Sequence, residues 1–283
     1  MRGGVALGCD RLGSVNGLRG AEAERLLAAA LEMGVRVFDT APVYGQGDSE
    51  RLLGRVLAPV RDEVAIVTKV GQFFPAAARL LLPLKGLAHR ASARSPRLGG
   101  LVAARRAGVL PRRFDRGFIE DELRRSLRRL RTDRVDALLL HSPDPEQPAT
   151  RDGLATLARL RDAGAARRVG VSTETAAEAL AALACPLVEV VEFPLEDGPV
   201  TEAALAAAAR QGIEVILRGA LRHRAPALRG ADAAARRAIL AEAVGGVLSR
   251  PGATTLLVGT TRAEHLREVV AAARDTRPEG GGG

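Results

Sequence analysis

Val35-Arg36-Val37-Phe38-Asp39-Thr40-Ala41-Pro42-Val43-Tyr44-Gly45 is the stretch on which the reading of this chain turns. Its first four residues form an apolar run that reads as a short buried strand, Val35–Phe38. A Pro and a Gly then mark a loop. Asp39 and Tyr44 therefore fall at the strand's C-terminal end and in the loop beyond it. Tyr44 is the sole tyrosine of the chain. A phenol can act as a general acid if a nearby cation lowers its pKa from about 10.

Working outward, the cation is as scarce as the phenol. Among 42 Lys and Arg residues, only Lys69 and Lys85 are lysines. Lys69 closes a second apolar run, Val64–Lys69. An ammonium is a compact charge that shifts its pKa readily when buried, unlike the planar guanidinium. A further run, Val135–Leu140, delivers His141 at its end. Alone, each residue has a plainer explanation: a packing tyrosine, a polar strand stop, an Asp that caps the next helix. Three successive strand ends carrying such groups point to chemistry at one face.

The same alternation runs through the chain. Strands are expected at Val5–Cys9, Val35–Phe38, Val64–Lys69, Val135–Leu140, Arg168–Val171, Leu187–Phe193, Glu214–Leu217 and Thr255–Val258. Helices are expected at Ala21–Met33, Asp48–Leu57, Gly117–Leu130, Thr150–Ala163, Thr175–Ala184, Thr201–Gln211, Ala231–Ser249 and Arg262–Ala273. Asp48 or Ser49 offers the N-cap of the second helix. Such βα repetition implies a parallel sheet with crossover helices. Eight of each is the count of a (β/α)8 barrel, and 283 residues suit one such domain. The barrel is expected to span residues 1–276. Two segments break the rhythm. Residues 71–116 are too long for a βα loop; they are Arg-rich, include Lys85 and His89, and read either as a surface insertion or as a lid. Residues 277–283 end in a glycine run and read as a disordered tail.

The formal charge is +9. Nucleic acid is the first partner to consider for such a chain. However, the arginines alternate with acids on helices, as in Glu120-Asp121-Glu122-Leu123-Arg124-Arg125, and no aromatic residues interleave to stack on bases. Nucleic acid is therefore not the expected partner. Cys9 and Cys185 offer neither a disulfide framework nor a metal spacing and read as buried thiols. No signal-type segment and no membrane-spanning stretch is present, so a cytoplasmic protein without a membrane partner is expected. Oligomeric state is not legible.

Asp39-Thr40-Ala41, Tyr44-Gly45, Thr68-Lys69 and Leu140-His141, in this order at strand ends, resemble the signatures of the aldo-keto reductases, from about Gly3 to Val270. The resemblance implies a (β/α)8 barrel that reduces small carbonyl substrates with NADPH. It places the roles of an Asp, Tyr, Lys, His set on Asp39, Tyr44, Lys69 and His141, with Lys69 drawing the phenol's pKa down and Asp39 holding Lys69. No G-x-G-x-x-G follows a strand, so a Rossmann site is not supported. Gly259-Thr260-Thr261-Arg262 instead opens the last helix after strand eight, where barrels hold phosphates. By resemblance, Arg262 would meet a 2′-phosphate and Glu268 would lie near the adenine, favouring NADP(H) over NAD(H). The chain also departs from the family pattern. Ser172-Thr173 stands where many members have Ser-Asn against the nicotinamide amide. Glu192 stands where Gln is common, and Arg218 where a stacking Tyr is common. These departures keep open a second reading, a nucleotide-binding barrel that regulates rather than catalyses.

Overall fold

Parallel strands cannot be joined by tight hairpins, so each pair needs a crossover, usually a helix. The computed structural model of the chain describes residues 4–14, 17–75, 110–222, 224–250 and 254–276, and in these the expected alternation closes on itself. The strands are β1 (Val5–Gly8), β2 (Val37–Asp39), β3 (Ala65–Val70), β4 (Val135–His141), β5 (Ala166–Ser172), β6 (Val190–Pro194), β7 (Glu214–Arg218) and β8 (Thr254–Gly259). They form one closed barrel in sequence order, with β1 pairing to both β2 and β8. Between them run α1 (Gly20–Glu32), α2 (Asp48–Leu57), α3 (Arg116–Leu130), α4 (Pro148–Asp162), α5 (Ala176–Ala182) and α6 (Pro199–Gln211). After β7 come α7 (Ala225–Gly230) and α8 (Ala233–Leu248), and α9 (Ala263–Asp275) follows β8. The family's fold class is thus met: a single-domain (β/α)8 barrel.

The period-two alternation of strands explains where the site lies. Outward residues such as Phe38, Ile66, Leu138 and Leu140 pack against the helices in the main core. Inward residues Ala6, Val67, Ala137, Leu139, Val190, Ile216 and Leu257, with Val37 against them, plug the barrel with apolar side chains. Two residues further along β2, β3, β4, β6 and β7, the inward positions are Asp39, Lys69, His141, Glu192 and Arg218. A polar layer therefore rests on an apolar one, at the C-terminal mouth.

Some expected boundaries move. Strand two was expected at Val35–Phe38 but runs Val37–Asp39, because the Val35 N–H closes α1 by donating to the Ala30 carbonyl at 2.9 Å. Strand four runs on through His141, which pairs with Ser172. The short α7, with a proline in its first turn, is not among the expected helices. Neither Asp48 nor Ser49 caps α2; Gly47 is its N-cap residue, and Ser49 Oγ instead donates to the Cys9 carbonyl at 2.9 Å. Cys9 is buried as expected, whereas Cys185 is only partly covered.

The ends of the expected insertion are tied together. Gln72 and Arg112 form an antiparallel bridge, and the Arg113 N–H donates to the Gly71 carbonyl at 2.9 Å. Residues 76–109, with Lys85 and His89, lie outside the described residues, as does the tail 277–283; the lid and tail expectations fall there. Among the described residues, no helix is long and apolar enough to cross a membrane.

Candidate active site

Lys69 is fully buried on β3, and its inward direction brings Nζ against the end of β2. Nζ donates to Asp39 Oδ1 at 2.6 Å, to Asp39 Oδ2 at 2.5 Å and to the Thr40 carbonyl at 3.3 Å. Glu192 Oε2, delivered from β6 across the barrel, lies 3.3 Å from the same nitrogen. Burial alone would lower the lysine's pKa. Asp39, Glu192 and Tyr44 outweigh it and hold the ammonium above its ordinary value. For Asp39, burial and then the neighbouring Glu192 push the carboxyl well above the usual range, against the pull of Lys69.

The loop after β2 folds Tyr44 back over this layer. Thr40 Oγ1 and Ser49 Oγ share a hydrogen bond of 2.8 Å, which fastens the loop to the start of α2. Tyr44 begins a short turn in which Gly45 has φ +57°. A Cβ on Gly45 would come 2.7 Å from the Gly13 backbone, so only glycine fits this close approach. As a result Lys69 Nζ lies 5.3 Å from the Tyr44 ring centroid. The His141 ring stands edge-on to Tyr44, with centroids 5.9 Å apart and planes at 87°.

One electrostatic expectation is corrected. Lys69 was expected to draw the phenol's pKa down, but Tyr44 stands above its ordinary value. Burial is the largest cause. Lys69 opposes it, but Asp39, Glu192 and Asp10 all disfavour a second negative charge. His141 shifts the other way: burial first, then Lys69, Arg218 and Arg112, hold its imidazole well below the ordinary value. At neutral pH it is an uncharged ring with one N–H to donate.

Tyr44 and His141 open onto a cavity of about 1140 Å³, with Asp39, Ser172, Glu192 and Arg218 beside them. Its far end is lined by Gly259, Thr260, Arg262 and Glu268, so both groups of expected residues share one space. Lys69 lies beneath the wall. Thr173 and Thr261 do not contribute to it; Thr173 is buried, and its hydroxyl donates to the Thr175 carbonyl at 3.0 Å. Glu268 is engaged by Arg236 through two bonds of 2.8 Å, and Arg236 holds its carboxyl below the usual range. Arg218 donates to the Thr173 carbonyl at 2.8 Å and to Glu174 at 3.2 Å. Arg262 is open to solvent, with Glu264 at 3.6 Å.

Asp10, Glu174, Arg222 and His265 also line the cavity and were not singled out from sequence. Asp10 had a signal: it follows β1 as Asp39 ends β2. The others sit on loops or a helix start, where sequence periodicity gives no direction.

Comparisons with known proteins give the family. The model of the Aldo/keto reductase family matches residues 4–238, so the chain belongs to that family. The aldo-keto reductase YhdN of Bacillus subtilis is 31% identical over 148 residues, 52% of this chain and 35% of the relative. The D-threo-aldose 1-dehydrogenase of a Pseudomonas species is 33% identical over 162 residues, 54% of this chain and 44% of the relative. The chain thus spans about a third to a half of the length of the curated relatives it matches. An aldo-keto reductase from Klebsiella pneumoniae solved with NADPH has the same fold, with a TM-score of 0.64 at 18% identity, covering 95% of this chain and 85% of that one.

Proposed function

We propose that this chain is an NADPH-dependent oxidoreductase that reduces an aldehyde or ketone to an alcohol, or runs the reverse, with Tyr44 as general acid. The observation that carries this is that Tyr44 and His141 meet on the wall of one cavity with Lys69 buried behind the Tyr44 ring. A carbonyl oxygen held between the phenol and the imidazole meets two donors. NADPH, when bound, supplies hydride to the carbonyl carbon. As negative charge grows on oxygen, Tyr44 gives its proton. Lys69, below the ring, stabilises the tyrosinate that remains, and Asp39 fixes the ammonium's position. His141, held neutral, donates a hydrogen bond to the oxygen and aligns the substrate.

The donor set at the far end suits the cofactor. Thr260 and Arg262 supply a hydroxyl and a cation, and the start of α9 has no side-chain cap, leaving its first N–H groups for an anion. Those groups favour a 2′-phosphate, hence NADP(H) over NAD(H). On this reading Ser172 and Gly259 serve the cofactor directly. Thr173 and Arg218 act through their mutual hydrogen bond, Glu268 through Arg236, and Thr261 through the loop it shares with Thr260. Substrates on offer should include polyhydroxylated aldehydes, because relatives are named for dehydroglucose and aldose chemistry.

The deciding experiment is an NADPH and NADH titration by calorimetry, followed by a panel of aldehydes and sugars with wild type and Tyr44→Phe. Turnover that Tyr44→Phe leaves unchanged removes the acid from its role. NADPH binding with no turnover on the panel favours the regulatory reading, whose support is the Glu192 and Arg218 pair where an amide and a ring are common in the family.

A further inference from the structure

Glu192 carries a charge that the fold does not require. Two residues earlier on β6, Val190 fills the apolar plug. Glu192 is 2% exposed, and its Oε2 has no hydrogen-bond partner although it lies 3.3 Å from Lys69 Nζ. Its Oε1 has Arg218 Nε at 4.0 Å. Asp39 already engages the ammonium with both oxygens. Burying a second carboxylate is expensive unless it is paired. A glutamine of the same size would avoid that cost, so it is the negative charge, not the volume, that needs an account.

We propose that Glu192 is a second counter-ion of Lys69 and a positioning residue for the acid step: shared between Asp39 and Glu192, the ammonium gives less of its charge to the Tyr44 phenol. This rests on the assignment of Tyr44 as the acid. The titratable groups around Glu192 are Lys69 from β3, Arg218 from β7 and Asp39 from β2 against it, with His141 from β4, Asp10 beyond β1 and Tyr44 lining the same cavity. Asp39 and Asp10 act on the phenol in the same sense as Glu192, and Lys69 acts against them. The consequence is directional. A phenol kept protonated is ready to donate in carbonyl reduction over a wide pH range. Alcohol oxidation needs the tyrosinate as base and therefore rises only in alkali.

The test is Glu192→Gln, with Glu192→Asp as the conservative control, read first in the protein without cofactor. Because Tyr44 is the sole tyrosine, its ultraviolet titration has no interference. Glu192→Gln should form tyrosinate at a pH lower than wild type by about one unit or more, the usual scale for removing a close like charge. Glu192→Asp should titrate close to wild type. The alkaline rise of kcat for alcohol oxidation should move to lower pH in Glu192→Gln, with KM for the alcohol little changed. A purely structural Glu192 would lower Tm and leave the titration where it was; that result, in protein still folded by circular dichroism, overturns the proposal. An equal shift in both variants also overturns it, since charge would not be the cause. A shifted titration with no turnover by any variant keeps the counter-ion and rejects the reductase reading. If Glu192→Gln does not fold, Lys69→Met is compared with Lys69→Met/Glu192→Gln. The double variant should melt higher, because it no longer buries two carboxylates without their cation; a lower Tm refutes the pairing.

Discussion

Tyr44→Phe removes one oxygen and keeps the ring that stands edge-on to His141. NADPH affinity by calorimetry should be unchanged, while steady-state aldehyde reduction should fall by about 10² or more. His141 gives a pH prediction with a fixed sign. Its folded pKa is depressed, so the stability it contributes is present above the unfolded value of about 6.5 and is lost as pH falls below it. Between pH 7 and 5 the Tm of wild type should drop more steeply than that of His141→Gln. Buried Asp39 titrates in the opposite sense, so the difference between the two curves is the quantity to read. At this scale the sequence was informative because the residue types are scarce. A single tyrosine and a strand-end lysine in an Arg-rich chain announce themselves. Asp10 did not, since an Asp after an apolar run also caps turns. Nor did the shared ammonium, because Asp39, Lys69 and Glu192 lie on three strands whose side-chain directions meet only once the barrel closes.

Among the elements, α2 and α3 meet through a buried charge. Glu50 is fully buried, accepts from Thr68 Oγ1 at 2.9 Å and pairs with Arg129 at 2.6 Å. Arg129→Met leaves that carboxylate without its cation and should cost about 3–5 kcal/mol in urea unfolding. Adding Glu50→Gln should recover much of the loss. α5 has only seven residues and depends on its start: Thr175 accepts from the Glu178 N–H at 3.1 Å, and Glu178 reaches back in a capping box. Thr175→Ala should cost about 1 kcal/mol by the same measurement. Hydrophobic periodicity placed these elements well, because buried faces must repeat at 3.6 or 2 residues. It failed at their ends. Val35 belongs to the close of α1, and Ser49 serves the Cys9 carbonyl rather than its own helix; both depend on partners that local pattern does not name.

For the molecule as a whole, the cavity between the polar layer and α9 predicts a ligand effect on stability. NADPH at about 100 times its Kd should add about 2.7 kcal/mol, a rise of roughly 4–5 °C in Tm for a chain of this size. NADH at the same concentration should raise it less. Arg262→Ala should shrink the NADPH shift more than the NADH shift, and equal losses would take Arg262 out of the phosphate site.

The sequence by itself determined the barrel, the family, the strand-end residues Asp39, Lys69 and His141, and Tyr44 in the loop after β2. Alternating strands and helices admit few closed topologies, and strand periodicity fixes which residues point inward. Only the tertiary structure decided how those charges balance. It set Glu192 beside Lys69 and raised the phenol's pKa rather than lowering it. Desolvation and Coulomb energies depend on distances between strands, and those exist only after eight strands have closed around an apolar plug.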